Sequence, residues 1–400
     1  MTLIHEGGIG GSQKNAVDLA HAMATRGHSI TLVVPETVAS PLPQRVIGYG
    51  QTRPSPGRIA QLRTLVDELR PDLVHAYEWP PILEAYLALG ARTDVSLLGT
   101  VLSMTVDDEV PRTVPLLVGT RQMQVLTSAM WRAPVGLCLP PVDLAHDAYS
   151  AESRTAFRAQ YGIGDEECLV VLVSRLSRAM KLSSVQQTIS AVAHLDPLVR
   201  LVIVGAGDAS EYVRADAALV NREHDVPRVQ LAGALADPRA AYSAADIVVG
   251  MGGSALRAMA HERPVVVVGE RGFSAIVDES SVSRFAAHGY FGVGTRALDP
   301  ARALAERLEA LWRAPEVRAA CGSLGRMIVA HDHALTHVAD TLERSWEIVG
   351  QNGNAWERRE QRRAVRVAIG REIRLKAHRP RPVRFDGVWD SEITAQEVVE

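Results

Sequence analysis

The chain has three cysteines in 400 residues, Cys138, Cys168 and Cys321. They are odd in number, widely spaced and without a CxxC pair, which excludes a disulfide scaffold and offers no zinc signature. No apolar run approaches the ~18 residues that a membrane-spanning helix needs. The opening residues, MTLIHEGG, have no basic n-region and no long apolar stretch, so we expect no secretory signal and a cytoplasmic protein. No short-period repeat is visible. With 47% hydrophobic and 22% charged residues the composition is globular, excluding disorder, coiled coil and collagen for most of the chain. Four hundred residues exceed one ordinary domain and suit two.

Charge is unevenly spread. From Arg358 to Arg384 there are eleven Lys/Arg against Glu360 and Glu372, a local +9 within a formal net charge of −3, so the rest of the chain carries −12. A basic C-terminal segment on an acidic body predicts that the segment meets something anionic: a membrane surface, a polyphosphate or the protein's own acidic face.

Strand and helix signals alternate. Thr2–His5 reads as a strand running into Gly7–Gly11. A helix follows with Ser12 as N-cap and Ala16, Leu19, Ala20 and Met23 as its apolar stripe. Further strands are expected at 29–34, 72–76, 95–101 and 115–119, with a helix at 58–70. After a polar stretch near residues 149–161 the alternation restarts, with strands at 169–174, 201–204, 229–232, 247–249 and 265–268. Helices are expected at 301–312, 316–330 and 334–349. Continuous apolar strands with intervening helices mean parallel sheets covered on both faces, and the restart means two doubly wound α/β domains. We place them at 1–150 and 151–335. A helix at 336–354 crosses back to the first domain, and a basic then acidic extension occupies 355–400.

Three constellations can carry chemistry. The glycine loop Gly7–Gly11 lets backbone approach a ligand and opens a helix whose N–H groups suit an anion; the alternative is a tight turn. It is not the GxGxxG fingerprint, and no acidic residue closes the second strand. Arg175 and Lys181 follow the first strand of the second domain, where two cations can clamp a diphosphate or be ordinary surface charges. Gly250, Met251, Gly252, Gly253 and Ser254 form a second strand–glycine–helix turn.

The stretches GGIGGSQKNAVDLAHAMATRGHSITLVVP, RPDLVHAYE, PPVD, VSRLSRAMK, LVIVGAGD, VQLAGAL and YSAADIVVGMGGSALRAMAHERPVVVVGERGF cover roughly residues 2–350. In this order they resemble a divergent branch of the retaining, nucleotide-sugar-dependent GT-B glycosyltransferases, the family that includes sucrose synthases and phosphatidylinositol mannosyltransferases. The resemblance implies two Rossmann-like domains facing a central cleft. It gives Arg175 and Lys181 the donor diphosphate, Gly8, Gly10 and Gly11 the first-domain loop, and Gly233, Ala234 and Leu235 the nucleobase. The amides of the Gly250–Ser254 turn then meet sugar and phosphate. Two family glutamates are replaced here by Val249 and Arg257. Arginine cannot accept a ribose hydroxyl, so either Arg257 reaches a phosphate or Glu262 or Glu270 supplies the acceptor. The family's Thr-x-His is Thr100-Val101-Leu102.

No carboxylate pair of glycosidase type stands out, and the resemblance implies none is needed. The leaving diphosphate, held by the cation pair, takes the acceptor's proton on the same face. The expected partners are a nucleotide diphosphate sugar as co-substrate and a small-molecule acceptor, with a lipid-linked acceptor second. No cofactor or metal is expected, since the cations take a divalent ion's place. The rivals are a non-catalytic protein of the same fold that binds a nucleotide sugar or partner, and a sugar-nucleotide epimerase. His75, at a strand end, is read as a third catalytic candidate or a structural histidine. Asp107, Asp108 and Glu109 suit an amino-bearing acceptor or are a solvated loop, and Glu78 and Trp79 lie nearby. Val365, Ile369 and Ile373 give the basic segment a thin apolar stripe. It suits weak membrane-surface contact through 358–384, docking on the acidic body, or plain solvation. Without an aromatic platform it does not suit nucleic acid.

Overall fold

The computed structural model describes residues 1–4, 11–34, 45–48, 54–179, 181–294, 297–352 and 356–376. It divides into two compact units, one comprising residues 1–141 with the described residues from Leu335 on, the other Val142–Ala334.

Unit 1 begins with β1 (Thr2–Leu3), α1 (Gly11–Thr25), β2 (Thr31–Val34) and β3 (Arg45–Gly48). It continues through α2 (Pro56–Leu69), β4 (Leu73–Tyr77), α3 (Trp79–Leu89), β5 (Ser96–Val101), β6 (Leu116–Val118), α4 (Arg121–Ser128) and β7 (Val135–Leu137). The seven strands form one parallel sheet in the order β3-β2-β1-β4-β5-β6-β7. On α1, the expected Ala16, Leu19, Ala20 and Met23 are buried. Ser12 lies inside the helix rather than at its cap, and its Oγ donates to Glu78 Oε1 at 2.7 Å. Ser55 caps α2 by accepting from Arg58 N–H, and Arg70 (φ 43°) ends that helix before Pro71.

Unit 2 holds α5 (Ala151–Gln160), β8 (Cys168–Val173), α6 (Leu182–Ala193), β9 (Val199–Val204), α7 (Ser210–Asn221), β10 (Val229–Gly233) and α8 (Arg239–Ala244). Next come β11 (Ile247–Gly250), α9 (Gly253–Ala260), β12 (Val265–Val268), β13 (Ser274–Ile276), α10 (Val282–His288), α11 (Pro300–Arg313) and α12 (Pro315–Ile328), then a π-helical turn at Val329–His333. Its sheet runs β10-β9-β8-β11-β12-β13, parallel except for β13. Each valine of β12 is within 1% of full burial, and each such side chain contributes roughly 1.5–3 kcal/mol. The short outer strands β3, β7 and β13 are additions to the sequence-based expectation.

The chain then returns to unit 1 as α13 (Leu335–Asn352) and α14 (Arg358–Lys376). Val338, Ala339, Leu342 and Val349 of α13 pack with Leu19 and Met23 of α1 and with Leu98 and Leu117 of the sheet. Unit 1 is therefore completed by a helix distant in sequence.

Candidate active site

Parallel strands send every strand-to-helix loop to one edge of the sheet. In unit 2 the loops after β10, β9, β8, β11 and β12 lie there side by side, because those strands are neighbours in that order. The expected residues Gly233–Leu235, Arg175, Lys181, Gly250–Ser254 and Glu270 all lie in these loops or at the strand and helix ends that flank them.

The loop after β8 is pinned from below. Ser174 N–H donates to Val204 O, Leu176 N–H to Ala206 O and Ala209 N–H to Leu176 O, at 2.9–3.0 Å. Gly205 (φ 147°) and Gly207 make this possible: a Cβ at either would overlap the carbonyl oxygen of Ser174 or Leu176. Leu176 is buried and Arg175 is exposed beside it. Gly233 (φ 71°) accepts from Gly205 N–H at 2.8 Å, which ties in the loop after β10. There Ala234 is exposed and Leu235 packs on the unit 2 core.

Lys181 stands at the N-terminus of α6, where Ser184 Oγ donates to its carbonyl at 2.9 Å. Its side chain keeps some accessible surface, but the ammonium is largely enclosed. Desolvation lowers its pKa to about 8, with Glu270 acting to raise it and Arg175 to lower it further. Glu270 is shifted the opposite way: desolvation raises its pKa, and Lys181 and then Arg271 oppose the rise. Arg175, Lys181 and Glu270 thus form one charge-coupled group. Glu270 is held by backbone, donating N–H to Gly292 O (3.0 Å) and accepting from Gly294 N–H (2.8 Å). Gly269 and Gly292 are required there, since a Cβ would overlap the Gly292 carbonyl in one case and the Phe273 ring in the other.

The turn after β11 is braced from within. Ser254 Oγ accepts from Met251 N–H (3.1 Å) and donates to Met251 O (3.0 Å), and Gly252 (φ 54°) donates its N–H to Tyr290 O (2.7 Å). A Cβ on Gly250 would come within 2.8 Å of that Ser254 oxygen. Those amides are therefore occupied, and the groups left to receive an anion are the N–H groups of Gly253, Ser254 and Ala255 heading α9. Arg257 lies one turn along α9, its Nε 3.4 Å from Asp147 Oδ2 and its Nη1 beside Gly253. Glu262 follows the far end of α9, at the opposite edge of the sheet, so of the two acceptor candidates only Glu270 is at the loop edge.

In unit 1, Gly8 and Gly10 lie outside the described residues, and Gly11 begins α1. His75, expected as a catalytic candidate or a structural histidine, is 1% exposed within the sheet. Trp346 of α13 donates its indole N–H to His75 Nδ1 (3.4 Å), so the other nitrogen carries the proton and donates to Thr100 Oγ1 (2.7 Å). Desolvation lowers its pKa to about 3, which favours the neutral imidazole. Asp107 and Glu109 hold Arg371 of α14 (2.8 and 3.4 Å), Asp108 O accepts from Arg363 (2.8 Å), and Arg371 lies 4.8 Å above the Trp79 ring. The acidic loop is therefore docked by the chain's own basic helix. A mostly apolar pocket opens behind it, lined by Met104, Val106, Val110, Met123, Leu126 and Trp131. Among the described residues no group of three His, Cys, Asp or Glu could hold a metal ion, and no helix is long and apolar enough to cross a membrane.

Residues 167–313 match the family described as glycosyl transferases group 1, and residues 9–110 match glycosyltransferase family 4. The chain belongs to the GT-B glycosyltransferases. The enzyme's fold is similar to that of Anabaena HepE (16% identity, TM-score 0.68, 86% of this chain and 98% of that one). It is also similar to a glycosyltransferase from Rickettsia africae (12%, 0.68, 88% and 98%) and to WaaG, a glycosyltransferase involved in lipopolysaccharide biosynthesis (14%, 0.58, 87% and 98%). No curated protein matches the sequence.

Sequence reasoning left four features of this glycosyltransferase without a role. Gly205 and Gly207 stand in the legible run LVIVGAGD, yet the carbonyls they admit are some thirty residues away. Asp147 gives no local sign of pairing with Arg257. Glu78 (φ 66°, 6% exposed) collects Ser12 Oγ, Leu102 N–H and Ser103 Oγ at 2.7–3.0 Å, joining the start of α1 to the loop after β5. A positive φ at a buried glutamate is not readable from sequence.

Proposed function

We propose that this glycosyltransferase takes its sugar from a nucleotide diphosphate sugar and passes it, with retention, to a hydroxyl of a small-molecule acceptor. The observation that carries the reading is the enclosed ammonium of Lys181, coupled to Arg175 and Glu270 at the loop edge of the unit 2 sheet. A cation held partly desolvated is most stabilised when a dianion arrives. HepE, solved with UDP, with UDP and glucose, and with UDP-glucose, supports the donor class.

In the reaction the acceptor oxygen bonds to the anomeric carbon as the bond from that carbon to the diphosphate oxygen breaks. The electron pair leaves on the diphosphate, which takes the acceptor's proton on the same face. Arg175 and Lys181 stabilise the charge growing on the leaving group, and binding supplies position. The amides heading α9 receive sugar or phosphate oxygens, Gly233–Leu235 cradle the base, and Glu270 accepts from donor hydroxyls. Two cations then do what a divalent ion does elsewhere, so no metal is required.

The test is a thermal-shift titration with UDP, GDP, ADP and TDP, without and with magnesium. A ligand of the folded state alone raises the midpoint by mass action. One nucleotide should shift the wild type and fail to shift Arg175→Ala or Lys181→Ala, and NMR of the product should show the donor's anomeric configuration. No shift with any nucleotide would favour the non-catalytic rival.

A further inference from the structure

The last described helix has two faces of different character. One docks on unit 1: Glu360 is 2% exposed and accepts from Arg112 N–H (2.9 Å), Ala364 is fully buried, Arg363 donates to Asp108 O and Val110 O (2.8 and 2.9 Å), and Arg371 pairs with Asp107. At ~100° per residue the other face gathers Arg358, Arg359, Arg362, Arg366, Ile369 and Ile373 into an arc of about 100°. All six are exposed, the isoleucines at 56% and 62%, and none of the four arginines is ion-paired among the described residues. The docked face accounts for the helix being there. It does not account for four arginines and two isoleucines sharing the opposite arc.

The geometry points to this arc as a docking surface for an anionic lipid bilayer. Charge complementarity selects an anionic partner, and the isoleucines select one with an apolar interior. A bilayer interface takes both, guanidinium groups at the level of the lipid phosphates and aliphatic side chains in the acyl boundary below. The arc offers no aromatic ring on which a base could stack. The surface is preformed, since the ion pairs of the opposite face already hold the helix in place. Near the start of α14, Arg132 pairs with Glu357 (2.9 Å), and Val125, Leu126 and Met130 shortly before it in the chain are exposed at 65%, 37% and 60%. The surface owes nothing to the donor chemistry of unit 2, so the two can be tested apart.

The experiment is co-sedimentation of the full chain with vesicles of phosphatidylglycerol and phosphatidylcholine, and of phosphatidylcholine alone, at low and physiological salt. The protein should bind the anionic vesicles, more weakly as salt rises, and leave the neutral ones. Each arginine near the surface accounts for about fivefold in partitioning, so the Arg358→Glu/Arg362→Glu/Arg366→Glu variant should lose at least about a hundredfold. Ile369→Ser/Ile373→Ser should lose about tenfold, and both variants should keep the wild-type melting midpoint. Failure to bind anionic vesicles at low salt, or equal binding by wild type and variants, would overturn the proposal. So would tight binding to poly(U) RNA that ignores the isoleucines, which would make the arc a nucleic-acid face.

Discussion

Arg257 Nε lies 3.4 Å from Asp147 Oδ2, both side chains mostly buried, in unit 2. Position 257 is where the family resemblance leads one to expect a glutamate. A glutamate there would face the Asp147 carboxylate, which also lies 3.9 Å from the buried His261. The arginine and the aspartate are thus complementary, and a glutamate at 257 would not be.

Restoring the family residue alone should therefore harm the enzyme. Arg257→Glu sets two carboxylates together in a partly desolvated place, at about 1–3 kcal/mol, or several degrees in melting midpoint. The exchange Arg257→Glu with Asp147→Arg should recover much of that loss. Calorimetry on the wild type, Arg257→Glu, Asp147→Arg and the double variant checks it, and an additive double variant would show the pair to be uncoupled.

The loop that presents Arg175 depends on a glycine beneath it, Gly205. Gly205→Ala places a Cβ against the Ser174 carbonyl and puts an alanine at φ 147°. The loop after β8 must move, and a shift of about 1 Å at a clamp can cost about a hundredfold. The variant should lose about 1–3 kcal/mol of stability and most of its nucleotide-induced thermal shift. A wild-type shift in this variant would mean that the loop does not position the diphosphate.

The architecture was legible where local pattern and burial agree: the stripe of α1, the valine run of β12, and the restart of alternation that separates the units. What was not legible depended on residues meeting across long stretches of chain. His75 looks like a strand-end ligand until Trp346, 271 positions later, covers it. Asp107 looks free for an acceptor until Arg371 arrives from 264 positions away. Glu262 and Glu270 are equivalent as letters, and only the direction of α9 and β12 puts one at each edge of the sheet. The basic segment allowed both self-docking and an outside partner because sequence alone could not show that the docked residues of α14 occupy one face.

The covering of His75 makes a claim about acid. Its folded-state pKa, about 3, lies below the ordinary 6.5. As pH falls below 6.5 the unfolded chain takes up a proton that the folded chain refuses, so this group's contribution to stability is lost progressively from about 6.5 down towards 3. By pH 5 one such group accounts for about 2 kcal/mol. His261, lowered to about 4 mainly by burial, adds a similar slope. In denaturant melts at pH 7 and pH 5, His75→Gln should lose about 2 kcal/mol less than the wild type. It should also keep turnover near wild type, whereas a thousandfold fall with an unchanged fold would return His75 to the chemistry.

The enclosed Lys181 makes the complementary claim about base. With a folded-state pKa near 8 against 10.5, free Lys181 loses its proton as pH rises through about 8 while the unfolded chain keeps its own to about 10.5. Stability therefore gains across that window, by up to about 3 kcal/mol, as an unfavourable buried charge disappears. Nucleotide affinity should move the other way, because only the ammonium attracts a diphosphate. Isothermal titration from pH 6.5 to 9.5 should show affinity level below about 7.5 and falling tenfold per unit well above 8. Lys181→Arg should bind without that fall, because guanidinium does not deprotonate in this range. A wild-type profile flat to pH 9.5 would mean that Lys181 does not meet the diphosphate, leaving Arg175 and the amides of α9 to hold it. Opposite pH trends in stability and affinity are the signature of a cation that the fold holds at a cost and the ligand uses.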